Sequence, residues 1–210
     1  MPAKARRERG FTLIEILAVL ALLGVLMGIS VAVLRGPRDQ ARVAATRAAM
    51  AALQNYVNAF ESKFGDYPPD RLADVNPAIK KKNNLNEGIE ACVATLHSKS
   101  WPAGPSITES YLGNTDDDET TTAYHRDDSP RLLEVLDGWG NPVAYLHFRN
   151  YERSQEYQMN EEEAVHEYPV QTVEARVSDL TEVFANADSY QLISAGSDEE
   201  FGTEDDVTNF

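Results

Sequence analysis

The chain predicts an α+β protein: one long N-terminal helix whose first half spans a membrane and whose second half packs on a small antiparallel-sheet head. Three observations predict it. An unbroken apolar run opens the chain, a helical stripe resumes just beyond it, and short strand signals separated by turns fill the C-terminal half. The apolar run is Phe11 to Leu34, FTLIEILAVLALLGVLMGISVAVL, 24 residues with a single ionisable side chain, Glu15. At about 1.5 Å per residue such a helix is about 36 Å long, enough for a bilayer core of about 30 Å. A carboxylate inside it costs on the order of 3 kcal/mol on insertion, which marks Glu15 as functional.

Gly36-Pro37 follows and is expected to bend or locally melt the helix. Helical spacing then returns, with Ala41, Ala45, Ala48, Ala52, Leu53, Tyr56, Val57, Phe60 and Phe64 on one stripe. Gly65 supplies a stop, and Tyr67-Pro68-Pro69 begins an extended loop. Residues 70–131 are irregular. Within them Ile89, Cys92, Val93 and Leu96 mark a short amphipathic helix over Asn86 to Ser98. Lys80-Lys81-Lys82 reads as a solvated basic spot, and Trp101 to Pro105 as loop. Asn114 to Glu119 is an acidic turn without the spacing of an EF-hand, so it is expected in solvent. The turn Leu136-Asp137-Gly138-Trp139-Gly140-Asn141-Pro142 leads into a strand over Val143 to Phe148. Further strands are expected at Tyr168 to Ala175 and Tyr190 to Ser194, separated by an exposed glutamate-rich stretch, Asn160 to Glu167. Strands joined by turns after a long helix favour an antiparallel sheet laid on that helix.

Composition narrows function. The 210 residues carry a net charge of −15, which disfavours nucleic-acid binding, because phosphate contact needs clustered Lys and Arg. One cysteine, Cys92, excludes an intrachain disulfide and reads as a small apolar residue on a helix face. His97, His125, His147 and His166 lack metal-ligand spacing and read as scattered surface residues. No Gly-x-Ser-x-Gly is present, and no pair of carboxylates is placed about a cleft. The chain is therefore expected not to be an enzyme.

The leader MPAKARRERG carries Lys4, Arg6, Arg7 and Arg9 against Glu8, so the positive-inside rule keeps it in the cytoplasm and sends the rest across. Arg35 and Arg38 at the far end of the run moderate that bias. Basic leader, Gly10, the string Phe11-Thr12-Leu13-Ile14-Glu15 and a long apolar helix together resemble the class III signal of type IV pilins and type II secretion pseudopilins. The resemblance implies cleavage between Gly10 and Phe11 by a prepilin peptidase that also N-methylates the new terminus. Glycine suits an extended backbone held close by a peptidase. Removing the leader takes away three net positive charges and leaves −18. The Phe11 ammonium, buried among packed helices, needs a counter-charge, and Glu15 of a neighbouring subunit is the expected partner.

The tail is the second motif: Ser194-Ala195-Gly196-Ser197-Asp198, then Gly202-Thr203-Glu204-Asp205-Asp206-Val207. Asp198, Glu204, Asp205 and Asp206 repel one another if packed without a cation, and a hard divalent cation with six to eight oxygen ligands resolves that. Glycines on either side let backbone carbonyls near Ala195 turn inward. Magnesium, which prefers a rigid octahedron, suits such a loop less well. This tail and the Asp137 to Pro142 turn are similar to those of the major pseudopilins of type II secretion systems, in which the turn usually has proline where this chain has Gly138. The resemblance implies a calcium loop with Asp198, Glu204, Asp205 and Asp206 as metal ligands. It covers residues 1–69 and 132–210.

The expected organisation is a leader at 1–10, a transmembrane and polymer-core helix at 11–35, and its second half at 36–65. A periplasmic head at 66–210 carries an insert at 70–131 and the calcium loop at 194–210. The implied function is that of a structural subunit anchored in the inner membrane and polymerised into a periplasmic filament for protein secretion. The implied partners are copies of itself, other pseudopilins, the peptidase, an inner-membrane assembly platform and a secretion ATPase. The alternative is a minor pseudopilin or minor type IV pilin that caps or primes the fibre.

Overall fold

A computed structural model of the protein describes residues 13–79, 83–98, 101, 107–120, 130–160, 170–178 and 180–210, without the side chains of 24–36. The chain divides into two units, Met1–Gln40 and Ala41–Phe210. One helix, α1 (Leu13–Phe64), contributes to both. The weak point expected at Gly36-Pro37 is no break, because α1 runs through Pro37. Proline deletes one N–H from the ladder, and the bonds of the flanking turns carry the helix past it. At the other end Gly65 takes φ 76°, and its N–H donates to the Glu61 carbonyl at 2.7 Å. That left-handed residue closes the helix where the sequence places a stop.

In the first unit the large apolar side chains described on α1 are exposed, from Leu13 at 80% to Leu23 at 47%. Among the described residues no helix is long and apolar enough to cross a membrane. The membrane-spanning first half predicted over 11–35 is therefore not supported here; Phe11 and the side chains of 24–36 lie outside the described residues.

In the second unit the buried face of α1 is Thr46, Ala49, Met50, Leu53 and Val57. This corrects the predicted stripe: Leu53 and Val57 were on it, whereas Ala41, Ala45 and Ala48 are exposed. Alanines define a face weakly, and the larger Met50 together with the bonded Thr46 decides the rotation. Among the described residues, the rest of the unit includes α2 (Leu72–Val75), α3 (Glu87–Leu96) and seven short strands. These are β1 (Leu112–Gly113), β2 (Glu134–Val135), β3 (Ala144–His147), β4 (Gln155–Gln158), β5 (Val170–Val173), β6 (Tyr190–Ser194) and β7 (Val207–Thr208). They form three small antiparallel sheets, β1-β2, β3-β6-β7 and β4-β5. In the largest, Ala144 faces Ile193, His147 faces Tyr190, and Ser194 faces Val207.

The core joins Leu53 and Val57 of α1 to Ile89, Cys92, Val93 and Leu96 of α3, and to Tyr145, Leu146, Tyr157, Leu192 and Ile193 of the strands. The region read as an insert therefore supplies a core helix. Nor is α3 amphipathic: every residue from Gly88 to Leu96 is buried, Glu90 included. Three predicted strands are present: β6 with the predicted bounds, β3 shorter by one residue at each end, and β5 ending two residues early. The fourth longer one, β4, is polar in sequence, but Gln155 and Tyr157 turn inward while Glu156 faces out.

Candidate functional site

The N-terminal junction comes first in the chain. Gly10 and Phe11, the predicted processing residues, lie outside the described residues. Glu15 stands in the first turn of α1, where a carboxylate complements the helix dipole, and its neighbours Ile14 and Ile16 are exposed. The leucines, isoleucines and valines exposed over Leu13 to Leu23 form an apolar surface, and such surfaces are characteristic of protein or membrane contacts.

The Asp137 to Pro142 turn proves to be the joint of the head. Asp137 Oδ1 accepts from the N–H groups of Trp139 at 2.8 Å and Asn141 at 3.0 Å, closing the turn on its own side chain. Its Oδ2 accepts from Ser194 Oγ at 2.7 Å, so the turn also grips the first residue of the tail motif. Ser194 Oγ in turn accepts from Gly196 N at 3.3 Å. Gly138 meets α1: its N–H donates to Thr46 Oγ1 at 2.9 Å, and a Cβ built on it would lie 2.3 Å from the Arg42 carbonyl oxygen. A proline here has no N–H to donate and no room for its ring. Gly138→Pro is thus expected to cost about 3 kcal/mol in denaturant unfolding, and an unchanged midpoint would refute this docking.

The tail loop runs from β6 to β7. Asp205 serves as its brace. Asp205 Oδ2 accepts from Ser197 N at 2.6 Å, Ser197 Oγ at 2.8 Å and Asp198 N at 3.1 Å, while Oδ1 accepts from Thr203 Oγ1 at 2.6 Å. Burial pushes the Asp205 carboxyl up, but the Thr203 and Ser197 bonds prevail and hold it well below the usual carboxylate range. Gly196, at φ 72°, passes so close to Asp205 that a Cβ would fall 2.4 Å from its carbonyl oxygen. Asp198 Oδ1 accepts from Glu200 N at 2.9 Å. Asp206 behaves differently. Its Oδ2 accepts from Gly202 N at 3.0 Å and forms an ion pair with Arg176, and its Oδ1 is buried without a hydrogen-bond partner. Burial raises its pKa, and the nearby charge of Asp198 adds to the rise. Glu204 is exposed at the rim. Strand β5 clamps the loop from the side: Gln171 Nε2 donates to the Glu199 carbonyl, and Phe201 N donates to Gln171 Oε1 at 3.0 Å.

Among the described residues, the one group of three carboxylate, imidazole or thiol ligands whose atoms lie within 4.8 Å of one another is elsewhere, at Glu90, Asp116 and Glu134. The predicted ligands Asp198, Glu204, Asp205 and Asp206 share a loop but form no such group. The acidic turn expected in solvent is partly internal: Asp118 is buried, and Asp116 approaches Glu90 and Glu134, both fully buried. Glu134 accepts from Asn86 Nδ2 at 2.9 Å and from Thr115 N at 3.1 Å. Burial, reinforced by the Asp116 charge, pushes its carboxyl up to about 8. Sequence did hold one signal of this cluster, since Glu90 is the lone charge in the apolar string Ile89 to Leu96.

Nor is His147 a surface residue. It is buried, its pKa is lowered by that burial, and its Nδ1 accepts from Arg149 N at 3.2 Å. It lines a cleft of about 430 Å³ with Phe60, Phe64 and Tyr67. His97 Nε2 accepts from Ile107 N at 3.3 Å. His125 and His166 lie outside the described residues.

Residues 5–31 match the family described as the prokaryotic N-terminal methylation motif. That stretch contains Gly10, Phe11 and Glu15. The chain is also 22% identical, over 204 residues, to the type II secretion system core protein G of Escherichia coli (strain K12), across 97% of this chain and 92% of that protein. Motif and relative support the type IV pilin and pseudopilin superfamily. No solved structure matches the chain. A long N-terminal helix followed by small antiparallel sheets is consistent with a pilin-like fold, and the superfamily's subunits are structural proteins rather than enzymes.

Proposed function

We propose that the protein is a structural subunit of a type II secretion pseudopilus. A prepilin peptidase cuts between Gly10 and Phe11 and methylates the new amino terminus. The apolar segment from Phe11 onward anchors the subunit in the inner membrane with its head in the periplasm. It then leaves the lipid to pack against other copies and other pseudopilins in a filament. An inner-membrane assembly platform and a secretion ATPase drive that transfer. The observation that carries the reading is the methylation motif over residues 5–31, set on a helix whose apolar side chains are exposed around Glu15. Transfer from lipid to a helical bundle keeps those side chains in apolar surroundings, so their burial opposes neither state. The Phe11 ammonium and the Glu15 carboxylate of a neighbour fix the register, because each is costly in that bundle without the other.

Calcium is part of the same reading, held by Asp198, Asp205 and Asp206 with Glu204 at the rim. The buried, unpaired Asp206 Oδ1 supports it, since such an oxygen suits a hard cation. When bound, calcium supplies two positive charges that tie the acidic tail to the head. The chain's own residues set the loop's shape: Asp205 folds it, Asp137 fixes its first residue, and Gln171 holds its side.

The minor-subunit alternative has one observation in its favour. The described part of residues 70–131, a stretch longer than a major pseudopilin is expected to carry, builds core elements of this head, including α3. Overproduction tests the two readings, because a major subunit polymerises alone and a cap does not. Glu15→Ala is the test of the main proposal. The variant is expected to start at Phe11 by N-terminal sequencing, yet to lose most of its filaments. Wild-type filament yield from this variant, or a purified protein that still begins at Met1, would overturn it.

A further inference from the structure

The tail motif from Ser194 to the C-terminus contains no lysine or arginine. Its buried carboxylate, Asp206, nevertheless already meets a cation, and that cation comes from another part of the chain. Arg176 follows β5, and its backbone is locked to β6 by Gln191, which is fully buried. Arg176 N donates to Gln191 Oε1 at 2.7 Å, and Gln191 Nε2 donates back to the Arg176 carbonyl at 2.9 Å and to the Ala185 carbonyl at 2.7 Å. From this fixed base the guanidinium reaches across Gly202 to pair with Asp206 Oδ2. The Asp206 side chain is 5% exposed and that of Arg176 35%, so the pair is sheltered on the acid side and open on the base side. A Cβ placed on Gly202 would sit 3.9 Å from the guanidinium nitrogen, an ordinary contact, so the pairing does not depend on a glycine there. A sheltered carboxylate is strongly unfavourable when its counter-charge is removed.

We propose that Arg176 is the loop's built-in counter-cation, which secures the tail to the head when no divalent cation is bound and which calcium must displace from Asp206 to bind there. This rests on the calcium reading of the loop given above and adds its regulation. The resident guanidinium sets a threshold. Calcium has to compete with a charge already in place, so occupancy begins only where calcium is abundant, and the metal-free head keeps its tail docked until then. The base is exposed enough to swing out into water, whereas Asp206 has nowhere to go. Displacement therefore moves one side chain and leaves the backbone clamp at Gln191 intact.

The test uses the full-length chain in detergent micelles, titrated with calcium chloride in calorimetry and in thermal unfolding. Arg176→Gln is expected to bind calcium about tenfold more tightly than wild type, because no resident charge has to leave. Its metal-free melting temperature should fall by several degrees, and saturating calcium should restore it. The gain in affinity should persist at about 0.5 M salt, where a long-range charge effect is screened out. Arg176→Lys, which keeps the charge but not the planar fork, should fall between the two and serves as the readout if the glutamine variant does not fold. Asp206→Asn should lose calcium binding whether or not Arg176 is present. Equal calcium affinity in wild type and Arg176→Gln, or a gain that vanishes in high salt, overturns the displacement while leaving the calcium loop standing. No binding heat and no melting shift in any variant removes the calcium loop itself, and the proposal with it.

Discussion

Gly88→Ala should destabilise the head by about 3 kcal/mol or more, seen as a large drop in the denaturant midpoint. Gly88 lies in the first turn of α3, where the helix presses directly on the sheet. A Cβ there would lie 2.2 Å from Gln155 Oε1, 2.3 Å from the Tyr145 carbonyl oxygen and 2.8 Å from Tyr157 Oη. The glutamine can rotate, but the Tyr145 carbonyl is backbone of β3, in the strand pair at the centre of the core. Relief would require α3 to back away, which opens the contacts of Ile89, Cys92 and Val93. Local propensity runs the other way, favouring alanine in a helix by about 1 kcal/mol. A stabilised or neutral variant would therefore show that α3 does not seat on β3 this closely.

Glu134→Gln should flatten the dependence of stability on pH. Glu134 binds its proton more tightly in the folded protein, with its carboxyl raised from 4.5 to about 8 by burial and by Asp116. The folded state is thus the better proton acceptor between those two values. The contribution is fully present below the unfolded value and is lost as pH rises through the folded one. In wild type this group should lower the stability progressively between about pH 4.5 and pH 8, by an amount on the order of 5 kcal/mol in all, with the melting temperature falling accordingly. Glutamine keeps an acceptor for Asn86 and Thr115 but carries no charge, so the variant should be the more stable protein at alkaline pH. Parallel pH curves for the two proteins would show that Glu134 is not the titrating group.

The readable parts of the sequence were those governed by short-range rules. Gly65 marked the end of α1 because only a glycine takes φ 76° there at no cost. Tyr190 to Ser194 was legible as a strand because it is apolar and bounded by turn residues, and it is the buried centre of its sheet. The polar strand β4 was not, since its inward side chains are satisfied from other elements: Gln155 Nε2 donates to Asp70, 85 positions earlier, and Tyr157 Oη accepts from Tyr145 N of β3. Alanines misled the reading of α1, whose rotation is set by Thr46 and its bond to Gly138, 92 positions on. The tail showed its carboxylates in sequence, but not their division of labour. That Asp205 braces the loop while Asp206 faces Arg176 depends on β5 lying alongside, a contact that no local pattern encodes. Glu90 and Glu134 meet only because α3 and β2 are neighbours in the fold.

The single thiol of the chain, Cys92, sits at zero exposure among the core side chains of α3, with its pKa driven well above the ordinary value by burial. A maleimide or similar alkylating probe finds no thiolate while the head is closed. The speed of alkylation therefore counts the openings of the core, a clock that the chain carries without any engineered label.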